Sequence, residues 1–254
     1  MSAESRSQHK VEVVDVTKSF GSVEALRGAS MYANAGEVTA IVGDNGAGKS
    51  TLIKCLSGYH APDQGQILVD GAPVRFSSPL DARRAGIETV YQDLALADQL
   101  AVWQNIFLNR ELTRGVGPFR AMRRAEMRRQ AAALVDGLAV TVPSVTKSVK
   151  RLSGGQRQAV AIARAVMWSS QFVIMDEPTA ALGLRETAQV EDLVRRIVDN
   201  GTTVLVISHN FEQVMRLSQQ VWVMRGGRVV DGHRTSDVTG VDLVAQVTGA
   251  STFR

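Results

Sequence analysis

Gly43-Asp44-Asn45-Gly46-Ala47-Gly48-Lys49-Ser50 is the stretch on which the fold of this chain turns. It fits the phosphate-loop pattern G-x-x-x-x-G-K-[ST], whose backbone N–H groups cradle a nucleoside triphosphate. Before it, Glu37-Val38-Thr39-Ala40-Ile41-Val42 is rich in β-branched residues and predicts a buried strand ending at Gly43. After it, Lys49 to Leu56 predicts a helix that ends near Gly58. A turn joining strand to helix must point several N–H groups at one anion, and Gly43, Gly46 and Gly48 permit the unusual backbone angles and the close approach. The helix N-terminus adds unpaired donors and the positive end of its dipole. Nucleotide-binding residues on this reading are Gly43, Asp44, Asn45, Gly46, Ala47, Gly48, Lys49, Ser50 and Thr51. Lys49 supplies a point charge for the β- and γ-phosphates, and Ser50 supplies a hydroxyl for Mg²⁺. A glycine-rich turn with only a structural duty would not need Lys-Ser at its end.

A second strand must bring the carboxylate for the metal. Phe172-Val173-Ile174-Met175-Asp176-Glu177 has four apolar residues followed by two acids, as suits a strand buried on both faces. Asp176 at its carboxyl end is the candidate Mg²⁺ holder, through water, and Glu177 the group that polarises an attacking water. The plainer alternative is a strand stop with acids at the next helix N-terminus, and Pro178 is compatible with that. The P-loop upstream favours the chemical reading, because ligands of open α/β sheets bind at the carboxyl ends of parallel strands.

Leu152-Ser153-Gly154-Gly155-Gln156 marks a further helix start. Ser153 is a good N-cap, Gln156 three residues on completes a capping box, and a helix is predicted through Arg157–Met167. Gly154 and Gly155 leave backbone donors uncovered at that end, which is an anion site. One chain then carries two anion-binding helix ends but only one P-loop.

The P-loop and this second motif together resemble the ATP-binding subunit of ATP-binding cassette (ABC) transporters. The resemblance implies that Ser153, Gly154, Gly155 and Gln156 close on the γ-phosphate of ATP held by an opposite subunit, so that two ATP molecules are sandwiched in a head-to-tail pair. It implies that Gln92, after Ile87–Tyr91, senses Mg²⁺ and the γ-phosphate, and that His209, after Thr203–Ser208, is a γ-phosphate contact. It sets Lys49, Glu177 and His209 as the catalytic residues, and Ser50, Gln92 and Asp176 as the metal set. Phe20 occupies the place of an aromatic that stacks on adenine, with a core phenylalanine ending a Val11–Val16 strand as the alternative. The family commonly has Ser-Ala-Leu-Asp after Glu-Pro-Thr, whereas this chain has Ala180-Ala181-Leu182-Gly183. That departure puts communication between paired sites in doubt and leaves hydrolysis intact.

Composition agrees. With 254 residues and 44% hydrophobic content the chain can bury a real core, and one domain with a subdomain follows. Nothing approaches the roughly 20 consecutive apolar residues of a membrane helix. Met1 to Lys10 are polar without an apolar signal segment, which predicts a cytosolic protein. The single cysteine, Cys55, rules out an internal disulfide, and its helical spacing with Leu52 and Leu56 predicts burial. Much of the +4 net charge comes from Arg120, Arg123, Arg124, Arg128 and Arg129 in Phe119–Leu138, read as a helix that packs through Ala131, Leu134, Val135 and Leu138. The arginines are its solvated side, with acidic lipid headgroups or an acidic loop of a membrane partner as sharper alternatives. No aromatics interleave them to stack bases, so nucleic acid is not an expected partner.

The expected fold class is α/β, a P-loop core with an antiparallel β subdomain and an inserted helical subdomain. Residues 1–10 form a polar tail, 11–91 and 157–254 the ATPase core, and 92–156 the helical subdomain with the second motif. Turns are expected at Gly21-Ser22 and Asp70-Gly71, a helical 93–150 broken at Gly115-Val116-Gly117-Pro118 and Pro143, a hairpin at Arg225-Gly226-Gly227-Arg228, and a helical tail over Val241–Val247. The resemblance further implies ATP and Mg²⁺, a second copy or a paralogous cassette, an integral membrane permease, and indirectly a periplasmic solute-binding protein. Its place is then peripheral, on the cytoplasmic face of a bacterial inner membrane. Gly86–Gln92 with Leu94-Ala95-Leu96, Asn105–Glu111 and Glu177–Leu182 resemble the branch that imports monosaccharides such as ribose, fructose or xylose. An amino-acid or lipid importer, or a soluble ABC ATPase acting on nucleic acid or ribosomes, are the alternatives.

Overall fold

In the computed structural model, which describes residues 9–115, 120–168 and 171–250, the chain opens as a long hairpin. Strands β1 (His9–Phe20) and β2 (Val23–Asn34) pair antiparallel across the Gly21-Ser22 turn. After them come β3 (Val38–Val42), helix α1 (Lys49–Leu56), β4 (Gln64–Val69) and β5 (Ala72–Val74), and one antiparallel sheet has the order β2-β1-β4-β5. The expected Val11–Val16 strand runs on to Phe20. Its register shifts between Val13 and Val16, where Asp15 sits at φ 51°, so a bulge absorbs the irregularity and lets pairing continue.

The rest of the chain alternates. Helix α2 (Pro79–Arg84), β6 (Ile87–Val90), α3 (Val102–Ile106), β7 (Thr113–Arg114), β8 (Ala121–Met122), α4 (Arg124–Gly137) and α5 (Gly154–Trp168) lead to β9 (Phe172–Asp176). Helix α6 (Leu184–Asp199), β10 (Thr203–Ile207), α7 (Phe211–Leu217), β11 (Gln220–Arg225), β12 (Arg228–Arg234) and α8 (Gly240–Thr248) complete it. A second sheet has the order β12-β11-β3-β10-β9-β6, parallel throughout except for β12.

Both faces of this sheet are covered, and the two-residue period of its strands shows how. Phe172 and Ile174 of β9, with Leu205 and Ile207 of β10, join the core under α1 and the antiparallel sheet. Val173, Met175, Val204 and Val206 point the other way, into a core shared with α3, α4, α5 and α6. The helical insertion is thus packed on the six-stranded sheet through one continuous apolar cluster. Cys55 is buried in the α1 core, and burial pushes its thiol up to about 11. Among the described residues no helix is long and apolar enough to cross a membrane.

Two expectations are corrected. Residues 93–150 are not purely helical, because Thr113–Arg114 and Ala121–Met122 pair as a small antiparallel ribbon. The expected Phe119–Leu138 helix therefore begins at Arg124; Arg120 lies outside it and donates from Nε to Thr113, and Phe119 falls outside the described residues. Met127, Ala131, Val135 and Leu138 are buried, Leu134 is half-buried, and the five arginines are exposed. Arg129 pairs with Glu126, and Arg128 lies over the Trp103 ring.

Candidate functional site

Four polar segments are brought together by strand order. Consecutive strands β3, β10, β9 and β6 end, in that order, at the P-loop, His209, Glu177 and Gln92. Residues far apart in the chain become neighbours because the parallel strands all point their carboxyl ends the same way.

The P-loop leaves β3 through a constrained turn. Gly43 has φ 156°, and a Cβ there would lie 2.3 Å from the Met224 carbonyl oxygen of β11. Gly48 has φ 104°, and a Cβ there would meet the Ala25 carbonyl oxygen at 2.8 Å. Lys49, 8% exposed, donates from Nζ to the carbonyls of Gly43 (2.5 Å) and Asp44 (2.9 Å). Burial holds its ammonium below the ordinary lysine range, with the charges of Glu177, Asp44 and Asp176 pulling it back up. Ser50 is exposed and Thr51 half-buried on the same cleft.

At the end of β9 the two acids part ways. Asp176 is partly buried, and its carboxyl is held above the usual carboxylate range, first by desolvation and then by the charge of Glu177, against Lys49 and Lys54. Glu177 sits at φ 49°, a left-handed backbone unusual for a side-chain-bearing residue, and its N–H donates to the Ile207 carbonyl of β10 (2.9 Å). Its Oε1 lies 2.9 Å from Nδ1 of His209.

These residues line two adjoining clefts. One, of about 480 Å³, holds Asn45–Thr51, Gln92, Asp176 and Glu177. The other, of about 510 Å³, holds Gly43–Asn45, Gln92, Glu177 and His209, closed on one side by Val244, Val247 and Thr248 of α8. The first is also lined by Val23, Glu24, Ala25, Arg27, Gly226 and Gly227, none of which the sequence reading selected. Gly227 N–H donates to the Ala47 carbonyl (3.0 Å) and Arg27 N–H to the Gly227 carbonyl (2.8 Å), so the β11–β12 turn and β2 brace the P-loop from outside. The R-G-G-R segment signalled that turn, but only the parallel pairing of β11 with β3 carries it back to the loop. Phe20 is 44% exposed, so it is not a core residue. It meets His60 edge-on with ring centroids 5.1 Å apart and does not line either cleft, whereas Val23, its partner across the hairpin tip, lines the first.

The second motif is built elsewhere. Ser153 N–H donates to Gln156 Oε1 (3.1 Å) and Gln156 N–H to Ser153 Oγ (3.3 Å), a reciprocal capping box at the head of α5. Ser153 and Gly154 are exposed, while Gly155 and Gln156 border a different cleft, between the end of α4 and α6. Gly154 and Gly155 abut Leu182 and Glu186: a Cβ at Gly155 would lie 3.0 Å from Cβ of Glu186. Glu186 caps α6 at Gly183 N–H (3.3 Å). The segment after Glu177 thus rests on the second motif of its own chain.

The oxygens gathered here suit Mg²⁺. Ser50, Gln92 and Asp176 all face the P-loop cleft and offer a hydroxyl, an amide and one carboxylate. A hard cation that is bound through one or two carboxylates, waters and substrate phosphates needs no more. No cluster of three or more His, Cys, Asp or Glu side chains able to hold a metal occurs among the described residues.

The ABC transporter family profile matches residues 26–180. Over 237 residues the chain is 46% identical to the xylose/arabinose import ATP-binding protein XylG of Sulfolobus acidocaldarius, covering 93% of this chain and 92% of that one. Over 239 residues it is 44% identical to the fructose import ATP-binding protein FrcA of Rhizobium meliloti, covering 92% of each. A solved nucleotide-free ATP-binding cassette from an ABC transporter superposes with a TM-score of 0.79 at 25% identity, over 95% of each chain.

Proposed function

The chain belongs to the ABC transporter family as an ATP-binding, ATP-hydrolysing subunit, and we propose that it energises import of a monosaccharide. The observation that carries the catalytic part is the meeting of P-loop, Asp176, Glu177 and His209 at adjoining clefts, with Ser153–Gln156 absent from the lining of both. The second anion site then has work only on another copy's nucleotide, and the working unit is a two-fold pair.

In such a pair the triphosphate lies along the P-loop N–H groups and the start of α1, with Lys49 neutralising the β- and γ-phosphates. Val23, which lines the P-loop cleft at the hairpin tip, gives the adenine an apolar face, with Phe20 opposite it outside the cleft. Ser50 and Asp176, with Gln92, would hold Mg²⁺, which shields the phosphate charge. Glu177 accepts a hydrogen bond from the attacking water, and His209 fixes that carboxylate and reaches the γ-phosphate. The new bond joins water oxygen to the γ-phosphorus, the bond to the bridging oxygen breaks, and ADP and phosphate leave. Ser153 and the N–H groups of Gly154 and Gly155 from the other copy cap the γ-phosphate.

The membrane partner is a permease at the cytoplasmic face of the membrane. A cleft of about 330 Å³ beside the Gln92 segment, between α2, β6 and α5, is the surface we assign to it. The sugar names of XylG and FrcA support a monosaccharide as solute, and resemblance in the segments flanking that cleft agrees. Deleting the gene and measuring uptake of labelled xylose, arabinose, fructose, ribose and amino acids tests this. Loss of one sugar is expected, and loss of an amino acid with every sugar untouched would contradict it.

A further inference from the structure

The surplus charge of the chain lies in one segment. Residues 111–130 hold six arginines against two acids, a surplus of four, which equals the formal net charge of all 254 residues. The fold gathers these arginines instead of dispersing them. Pairing of β7 with β8 sets Arg114 opposite Ala121, and Arg120 Nε donates to Thr113 Oγ1 (2.9 Å). Arg123 N–H donates to the Leu112 carbonyl (2.7 Å), so the ribbon is tied to the head of α4. Arg114, Arg120, Arg123, Arg124, Arg128 and Arg129 are all exposed.

Neither acid neutralises the group. Glu126 is taken by Arg129 and Gln130, and Glu111 accepts the N–H of Asn109 (3.2 Å). Among the described residues, the five arginines other than Arg129 have no acid within ion-pair distance. The arrangement is costly to the free chain. Arg123 is the N-cap of α4, without a side-chain hydrogen bond to cap it, and Arg124 follows in the first turn. Both stand at the positive end of the helix dipole, where a cation is unfavourable. Arg124 and Arg128 are like charges one turn apart, which is also unfavourable. A segment that breaks several local rules without repayment inside the fold is expected to meet its counter-charge outside it.

The position of the cluster says where. Arg110 lines the cleft assigned to the membrane subunit, and the ribbon starts three residues later, at Thr113. Within the cluster Met122, 46% exposed, offers an unbranched apolar side chain of the kind that enters the boundary of headgroups and acyl chains. The ring nearest the arginines, Trp103, is buried and covered by Arg128, so it offers no free face to a base. Resting on the reading of that cleft as the membrane subunit's seat, we propose that the β7–β8 ribbon and the head of α4 bind the anionic lipid headgroups of the surrounding bilayer, with Met122 in the headgroup layer. This contact holds the cassette to the lipid surface independently of its grip on the membrane subunit. Each arginine near an anionic bilayer strengthens binding about fivefold, and the attraction fades within a Debye length, about 8 Å at physiological salt.

The experiment floats the purified full chain, without a membrane subunit, on vesicles of phosphatidylcholine alone and of phosphatidylcholine mixed with phosphatidylglycerol, across a salt series. Wild type should float with the mixed vesicles only, and leave them as salt rises. Arg123→Gln/Arg124→Gln should weaken binding by more than about tenfold, while Arg123→Lys/Arg124→Lys stays within about twofold of wild type. Both variants should keep the wild-type ATPase rate, since neither residue lines the nucleotide clefts, and the glutamine pair should melt no lower than wild type. Undiminished binding by the glutamine pair, or equal binding to both kinds of vesicle, would overturn the lipid contact. Single-stranded RNA that displaces wild type from mixed vesicles at equal phosphate concentration would overturn it in favour of nucleic acid. Co-purification with the membrane subunit in detergent tests the seat separately, and the glutamine pair should still co-purify. Wild type that floats but does not co-purify would overturn the seat and leave the lipid contact standing.

Discussion

Nδ1 of His209 lies 2.9 Å from Oε1 of Glu177, joining the carboxyl ends of two adjacent parallel strands. Two-thirds of the histidine side chain is in solvent, and an exposed pair of this kind adds only about 0–1 kcal/mol to stability. Its value is positional. Glu177 turns through a left-handed backbone at φ 49°, held by its N–H bond to the Ile207 carbonyl, and this aims the carboxylate across the mouth of β10.

That backbone has a cost that can be measured. Glycine adopts positive φ freely, although replacing a side chain by glycine elsewhere usually costs about 0.5–1 kcal/mol. Glu177→Gly should therefore be at least as stable as wild type in urea unfolding, while its ATPase activity disappears. A variant less stable by about 1 kcal/mol or more would show that Glu177 is not strained.

Asp176 sets a pH-dependent prediction. Its carboxyl is raised on folding, chiefly by burial, so its contribution to stability is complete below its unfolded pKa and is lost as pH rises through the folded value. At neutral pH the ionised group destabilises the free protein, and Asp176→Asn should melt higher than wild type. The gap should close as pH falls below about 4, where both forms are neutral. A gap that stays constant with pH would rule out ionisation as its source.

Gly43→Ala tests how tightly the P-loop is locked to the sheet. The added Cβ would sit 2.3 Å from the Met224 carbonyl oxygen, a backbone atom that cannot swing away. Overpacking and strain together should cost at least about 2 kcal/mol, read by chemical unfolding. A wild-type midpoint would mean that β11 and the P-loop are not in this contact.

Much of the architecture and most candidate site residues were legible because their signals are local. The β-branched run before Gly43, the helix Lys49–Leu56 and the Ser153–Gln156 capping box are each set by neighbours in sequence. What the sequence hid depends on distant pairing. Gly226 and Gly227 look like an ordinary hairpin turn until β11 is known to lie beside β3, and Val23 to Arg27 look like an ordinary strand until Gly227 bonds to Arg27. The two-residue ribbon Thr113–Arg114 and Ala121–Met122 is too short to show alternation at all. Asp15 carried no sign that β1 would bulge there and continue to Phe20.

Gly154→Asp separates the two anion sites. A Cβ there meets only the movable Leu182 Cδ2, at 3.2 Å, so the fold should tolerate it. An acid in the first turn of α5 should even stabilise the free chain by about 0.3–1 kcal/mol. The same charge repels an incoming γ-phosphate, so the variant should bind ATP as wild type does and turn over at background. Loss of ATP binding by the lone chain would mean that Gly154 belongs to its own nucleotide site.

In the proposed mechanism this chain hydrolyses ATP only as a pair closed over two nucleotides. Glu177→Gln keeps the shape of the catalytic side chain but removes the charge that orients water, which should slow turnover by about 10²–10⁴-fold and trap the closed state. Size-exclusion chromatography of Glu177→Gln with ATP and Mg²⁺ should show a dimer that reverts to monomer when nucleotide is removed. A protein that remains monomeric with ATP and hydrolyses it at the wild-type rate would contradict both the pairing and the role of Glu177.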